Sequence, residues 1–497
     1  MKSYQLTLSK ALRLDHIPPS RVAFVGAGGK TTALFQAARE LAPCIVTTTT
    51  HLGAWQADAA DQHIIIRKPE DVNQLEEIAF SGVILITGEE KKERLSSPNP
   101  EQLNWLEQFC NYHSLPLLIE ADGARGKPLK APKEDEPVIP EFISTVVVVA
   151  GLSGIGEGAD ENVYNSEEFA KLGKRKDEKN NELMNLRGSF TAEAVSSKTV
   201  TAEMLANVLM HTEGGLKDIP YKARKIALLN QADTPELQAI GGKLSKEILQ
   251  KYDSVLVTSL KPETTNSVMT PRGASFRDEA GSSSLRLPRQ AKALLAKTSS
   301  NIHIFEKPAA IILAAGSSTR FGESKQLLDY HGKPFIRVVV ETALKADLHP
   351  IMVVTGAEHD KIDAVIHDLP VQVIRNENWQ EGQSSSIKVG VKKFGSKAGS
   401  AIFLLADQPQ VTPTVIRALV EEHARTLHPV IAPMVEDRRA NPVLFDRVTF
   451  PALLKLEGDI GGRGIFSKFS PNYIHWNDSG LLLDVDTPEA YQKLINR

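Results

Sequence analysis

The chain runs to 497 residues, too long for one hydrophobic core and long enough for two to four domains. Its 41% hydrophobic content is that of a soluble globular protein, and 58 Lys and Arg against 61 Asp and Glu leave a net charge of −3, which argues against binding nucleic acid or a membrane by bulk positive charge. Met1–Leu14 lacks the apolar centre of a signal peptide and no run is long enough to span a bilayer, so a cytoplasmic location is expected; Cys44 and Cys110 read as small buried hydrophobes, not as a disulfide or metal pair.

From Arg21 to about Lys297, apolar runs at Val22–Val25, Ile45–Thr49, Val83–Thr87, Leu115–Ile119, Val146–Ala150, Ile226–Leu229 and Val255–Thr258 alternate with helical patterns. That alternation predicts an α/β fold with a parallel sheet. A polar stretch from Glu157 to Asn181 is expected to hold an exposed helix and loop, and Thr270–Ser284 a long loop.

The first strand runs into Gly26-Ala-Gly28-Gly29-Lys30-Thr31-Thr32. Glycines there let the backbone approach a phosphate, while a lysine and two threonines opening a helix suit phosphate and Mg²⁺. In the strict P-loop pattern the first glycine would fall at Phe24, so the spacing matches instead the shorter loop of Mur-type ligases. Leu115–Asp122 resembles a Walker B strand and makes Glu120 and Asp122 candidate metal ligands. Asn230-Gln-Ala-Asp233 resembles the guanine-reading Asn-Lys-x-Asp element of GTPases, with Gln231 in place of the lysine. ATP and GTP therefore both remain open, and an ordinary strand-end turn is an equal reading. Arg125, Lys127, Lys130 and Lys133 are either a solvated surface or an anion dock, and His51 reads as structural.

Together VGAGGKTT, IVTTTTH, IEADGARGKPLKAPKEDEPVIP and LLNQAD resemble the YqeC type of selenium-dependent hydroxylase accessory protein, over roughly Val22 to Leu260. The resemblance implies a role in maturing molybdenum hydroxylases that also need selenium, with the hydroxylase apoenzyme as a partner. The expected organisation is a YqeC-like P-loop domain over 1–297, a linker over 298–307 and a second domain over 308–497.

In the second domain the apolar strand Ala309–Ala314 leads into Ala315-Gly316-Ser317-Ser318-Thr-Arg320, with Lys325 following. Small residues admit backbone N–H groups to phosphate oxygens and the two cations match a polyanion. Pro334 stands where a first helical residue belongs, ahead of a face formed by Ile336, Val339, Val340, Ala343 and Leu344. Further strands are expected at Ile351–Thr355, Val371–Ile374, Ala401–Leu405, Val430–Pro433, Pro442–Phe445 and Leu481–Val485. Two of these end on carboxylates, Asp407 and Asp484 with Asp486, where Mg²⁺ takes one or two carboxylates plus substrate phosphates. Ser384, Ser385, Ser386, Asn441, Asp459 and Arg463 lie in loops able to hydrogen-bond a substrate.

The ordered motifs LAAGSSTRFGESK, EGQSSSI, LADQP, RANPVLF, GDIGGR and LLDVDTPE resemble the MobA-like nucleotidyltransferases, most closely the molybdenum cofactor cytidylyltransferases of the MocA type, across essentially all of Ala309–Arg497. The resemblance implies a Rossmann-like domain that transfers CMP from CTP to molybdenum-loaded molybdopterin. It also implies that Leu313 to Ser317 hold the nucleotide, that Arg320 and Lys325 act on its phosphates, and that Asp407, with Asp486, binds Mg²⁺. Ala315 stands where guanylyl-transferring relatives carry glycine, which favours the cytidylyl branch, and Ala440 stands where glycine is more usual. The same loop with Arg and Lys also occurs in sugar-phosphate and polyol-phosphate nucleotidyltransferases, and a nucleotide-switched chaperone is the alternative for the N-terminal domain.

Overall fold

The computed structural model describes residues 6–14, 19–68, 71, 74–76, 80–174, 199–260, 302–316, 324–394 and 398–496. It divides into two compact units, Met1–His303 and Ile304–Arg497. Of the expected linker 298–307, residues 298–301 lie outside the described residues and His303–Phe305 is a short strand; all of the expected loop Thr270–Ser284 lies outside the described residues.

In the first unit, runs of Val, Ile and Leu with no polar alternation make strands buried on both faces. Their order across the sheet is Ser254–Val257, Arg224–Asn230, Thr145–Gly151, Arg21–Gly26, Leu117–Glu120, Cys44–Thr48, Val83–Thr87 and Gln62–Ile65, and each of these pairings is parallel. The strand leading to the glycine loop is thus central, flanked by the strand that ends at Glu120 and by Thr145–Gly151. Its helix, Lys30–Leu41, packs over it with Ala33, Leu34 and Ala37 fully buried. Between Glu157 and Asn181 the described part holds two short helices, Ala159–Asn162 and Ser166–Leu172.

In the second unit the sheet order is Gln372–Arg375, Ile351–Thr355, Ala309–Ala314, Ser400–Leu405, Val443–Asp446, Val430–Val435 and Arg438–Arg439. The first three pairings are parallel, and Val443–Asp446 is antiparallel to both neighbours. Helices cover both faces: Ile336, Val339 and Val340 pack with Ile312 and Leu404 on one, Ile387 and Val391 with Ile311 and Phe403 on the other.

Two expectations are corrected here. Leu481–Val485 is not a strand, because Asp478 accepts from the Gly480 N–H at 2.9 Å and starts a single 3₁₀ turn, Ser479–Leu482. The last strand is instead Asn472–His475, which pairs parallel with Val430–Val435. Its alternating exposure marks a strand half in contact with solvent. Pro334 is the residue before the helix, extended at ψ 142°, and the helix spans Phe335–Lys345.

Candidate functional site

The N-terminal glycine loop is wedged between two strand ends. Gly28 has φ +78° and a Cβ there would run into the Gly151 backbone, so glycine is required on both conformational and steric grounds. The amides of Gly26, Ala27 and Gly28 are already engaged: Gly26 N–H donates to Asp122 at 2.9 Å, Ala27 N–H to Val149 O at 2.9 Å and Gly28 N–H to Lys127 O at 3.1 Å. This revises the sequence expectation for Gly26 and Gly28, which put their amides at a phosphate. The amides without intrahelical partners are those at the start of the Lys30–Leu41 helix, from Gly29 to Thr32.

Lys30 is buried and pairs with Asp122, and its Nζ lies 3.6 Å from Glu120. Burial alone would lower its pKa, but Asp122 and Glu120 outweigh burial and raise it. Glu120 accepts from Thr31 Oγ1 at 2.8 Å, and Thr31 Oγ1 accepts from Gln56 at 3.0 Å. Burial pushes the Glu120 carboxyl up despite Lys30. Asp122 differs: burial works against its charge, yet Lys30 and Lys130 hold its pKa down.

Lys130, expected on a solvated surface or in an anion dock, is buried. Its Nζ reaches Asp122 at 2.9 Å, Gly123 O at 2.7 Å and Glu136 at 2.8 Å. Lys127 donates to Glu161 O. Arg125 and Lys133 remain at the surface, over the Tyr164 ring at 5.6 and 5.4 Å. His51 is exposed and opens the short strand His51–Gly53, which pairs antiparallel with Arg94–Ser96.

In the C-terminal unit Leu313 and Ala314 end the central strand, and the Ala406 N–H bonds Leu313 O at 3.1 Å, bringing the Asp407 turn beside the glycine loop. Ala315 is buried, and Gly316 O accepts from Gln326 Nε2 at 3.0 Å. Ser317 and Arg320 fall outside the described residues. Lys325, nearly buried, pairs with Asp486. Gln410 Nε2 donates to Leu483 O at 2.9 Å and ties the Asp407 turn to the Asp484–Asp486 segment. Desolvation and then the neighbouring Asp484 push the Asp407 pKa up, and desolvation and then Asp486 do the same at Asp484. Asp407, Asp484 and Asp486 are thus within electrostatic reach of one another and of Lys325. Neither Asp484 nor Asp486 caps the last helix, since Thr487 fills that role.

The serines are less open than the sequence suggests. Ser384, Ser385 and Ser386 are buried, and Asn376 Nδ2 donates to Ser385 at 2.8 Å and Ser386 at 3.0 Å. Gln383 N–H donates to Asp459 at 3.2 Å, joining that helix start to the Asp459 loop. Arg463 is exposed and lies in electrostatic reach of Arg439, whose guanidinium is over the Phe466 ring at 5.5 Å. Asn441 is half-buried after Ala440, whose N–H bonds Pro433 O at 3.0 Å.

The MobA-like NTP transferase domain matches residues 310–472 and the YqeC protein family matches residues 22–167. The purine catabolism protein PucB of Bacillus subtilis (strain 168) is 31% identical over 196 residues, 36% of this chain and 92% of that protein. The chain belongs to the MobA-like NTP transferases. Its N-terminal unit is of the YqeC type, and the uncharacterized protein YqeC of Escherichia coli (strain K12) is 28% identical over 242 residues, 47% of this chain and 84% of that one. A probable molybdenum cofactor guanylyltransferase of Natranaerobius thermophilus is 27% identical over 128 residues, 26% of this chain and 60% of that protein.

The chain is thus an enzyme, a nucleotidyltransferase. Within this MobA-like unit the residues that sequence reasoning missed are Gln326, Asn376 and Gln410, all of which hydrogen-bond to and orient other residues of the site. Gln326 was legible in principle, one residue past Lys325. Asn376 was not, since only the sheet brings it to Ser385. No group of three or more His, Cys, Asp and Glu side chains is arranged as a metal cage among the described residues. No described helix is long and apolar enough to cross a membrane.

Proposed function

We propose that the C-terminal unit transfers CMP from CTP to the terminal phosphate of molybdopterin, releasing pyrophosphate, and that the N-terminal unit is a P-loop nucleotide-binding module serving maturation of a molybdenum hydroxylase. The observation that supports the first part is the ion pair of Lys325 with Asp486, within electrostatic reach of Asp407 and Asp484, beside the Ala315-Gly316 loop. Displacement at the α-phosphorus brings two anions together, so positioning and charge neutralisation dominate the catalysis. Two or three carboxylate oxygens suit Mg²⁺, which takes few protein ligands and keeps waters and phosphates. Bound there, Mg²⁺ would neutralise charge on the triphosphate. Lys325 orients phosphate oxygens, Gln326 holds the glycine loop through Gly316 O, and the Asp459 and Arg463 loops border the acceptor. Ala315, where a guanylyl-transferring relative would carry glycine, supports CTP over GTP.

In the N-terminal unit Glu120 and Thr31 form the metal-facing pair, and Asp122 serves to hold Lys30 and the loop.

The test is direct. The full chain is incubated with CTP or GTP, Mg²⁺ and either molybdopterin or a sugar phosphate, and the products are weighed. CMP on molybdopterin is expected, with Asp407→Ala lowering the rate on the order of 100-fold or more. A cytidylated or guanylated sugar with no modified pterin would sink the assignment.

A further inference from the structure

In the C-terminal unit the Ser400–Leu405 strand ends in a turn, Ala406 to Gln410, that carries Asp407 and is held on both sides. Ala406 N–H donates to Leu313 O at 3.1 Å, near the end of the strand that leads to the glycine loop, and Gln410 Nε2 donates to Leu483 O at 2.9 Å, one residue before Asp484. Gln408 N–H closes the turn on Leu405 O at 3.2 Å, and Val411 N–H bonds Gln408 O at 3.3 Å. The main chain here is committed, but two side-chain oxygens are not. Gln408 is 6% exposed, and its Oε1 is buried with no hydrogen-bond partner. Gln410 Oε1 is buried in the same state, and the bond to Leu483 O fixes which end of its amide is oxygen, since only the nitrogen can donate to a carbonyl.

Buried amide oxygens are almost always paired, and one left unpaired costs free energy until a donor reaches it. These two follow directly on Asp407, which lies within electrostatic reach of Asp484 and Asp486. Amide oxygen and ionised carboxylate alike accept hydrogen bonds and donate none. Lys325 supplies one positive charge and pairs with Asp486. A neutral water would serve the amide oxygens and leave the carboxylate charge standing. A hydrated divalent cation answers both needs: its charge offsets the carboxylates, and each coordinated water turns polarised O–H groups outward as donors. Mg²⁺ keeps several waters when one or two carboxylates hold it. An amide that only braced a turn would give its oxygen to a main-chain N–H, as Asn376 Oδ1 does to that of Asn378 at 3.1 Å.

We propose that Gln408 is a positioning residue for the divalent cation, its side-chain oxygen accepting a hydrogen bond from a water on a cation held by Asp407. The inference rests on the reading of Asp407 as metal ligand, and adds that the cation is gripped through its water shell as well as directly.

The test pairs metal affinity with stability. Mn²⁺ binding to the full chain, with and without CTP, is followed by electron paramagnetic resonance, and the part lost in Asp407→Ala marks this site against any cation held by the N-terminal unit. Gln408→Leu is expected to weaken that part by on the order of 10- to 100-fold, the usual effect of losing a group that orients a metal's ligands. The same variant is expected to keep or raise the melting temperature, because an apolar group of similar size replaces an unpaired buried oxygen. Gln408→Glu, which retains an acceptor, is expected to bind Mn²⁺ at least as well as the wild type. If Gln408→Leu binds Mn²⁺ as the wild type does while Asp407→Ala does not, or if it lowers the melting temperature and Gln408→Glu fails to restore binding, the role of Gln408 is overturned and the metal reading of Asp407 survives. If Asp407→Ala leaves Mn²⁺ binding unchanged, that reading falls and the inference with it.

Discussion

Lys130 shows how far one side chain's role can depart from its local sequence context. Read in a run of cations it looks solvated, yet its ammonium is fully inside, satisfied by Asp122, Glu136 and the Gly123 carbonyl. Asp122 in turn holds the Gly26 amide and Lys30, so a single buried ion network braces the loop. Breaking such a network by removing one partner leaves an uncompensated charge and typically costs about 3–5 kcal/mol. Lys130→Met is therefore expected to destabilise the N-terminal unit on that scale, read as lost hydrogen-exchange protection along Arg21–Gly26 and Leu117–Glu120. Protection within 1 kcal/mol of wild type would mean the network contributes little. No pattern of spacing carried this signal, because Lys130 meets Asp122 only when the strand and loop close on each other.

Elements were far more legible than contacts. Runs such as Val83–Thr87 and Ile351–Thr355 are strands over the residues that the apolar pattern marked, since uniform Val and Ile content suits a strand buried on both faces. The failures occurred where composition was ambiguous: Leu481–Val485 is apolar enough for a strand but begins at an Asp turn, whereas Asn472–His475 alternates and lies at the sheet margin. Helix docking can also be tested at this scale. Arg337 in the Phe335–Lys345 helix donates to Val365 O at 2.8 Å and to both Asp368 oxygens at 2.8 and 2.7 Å, pinning the end of His359–Ile366. The Arg337 bond holds the Asp368 pKa down to about 2. A depressed folded-state pKa stabilises above the unfolded value, near 3.9, and that contribution is lost as pH falls toward about 2. NMR titration should give an Asp368 midpoint near the lower figure, and Arg337→Gln should return it to the ordinary carboxylate range.

For the molecule as a whole, each unit has its own sheet and its own glycine loop after a central strand. That plan could be read from the sequence because parallel sheets put their loops at strand ends, where polar residues interrupt apolar runs. The orientation of donors within each loop could not, as the engaged amides of Gly26, Ala27 and Gly28 demonstrate. Both cysteines are interior, and burial pushes the thiols of Cys44 and Cys110 up to about 12. The folded chain should therefore show no thiol reacting rapidly with an aromatic disulfide reagent at pH 8, and both should react once denaturant is added. A fast-reacting thiol in the native protein would mean that one of these helix or strand packings opens readily.

The pairing of Lys325 with Asp486 bears on the order in which ligands arrive. While the two hold each other, the ammonium is unavailable to a triphosphate and the carboxylate to a cation. On the proposed assignment, an incoming complex of metal and nucleotide would offer both replacements at once, the cation to Asp486 and the anion to Lys325, so the exchange would strand neither charge. Free nucleotide or free metal would satisfy just one side of that swap, which favours loading of the preformed complex over stepwise assembly.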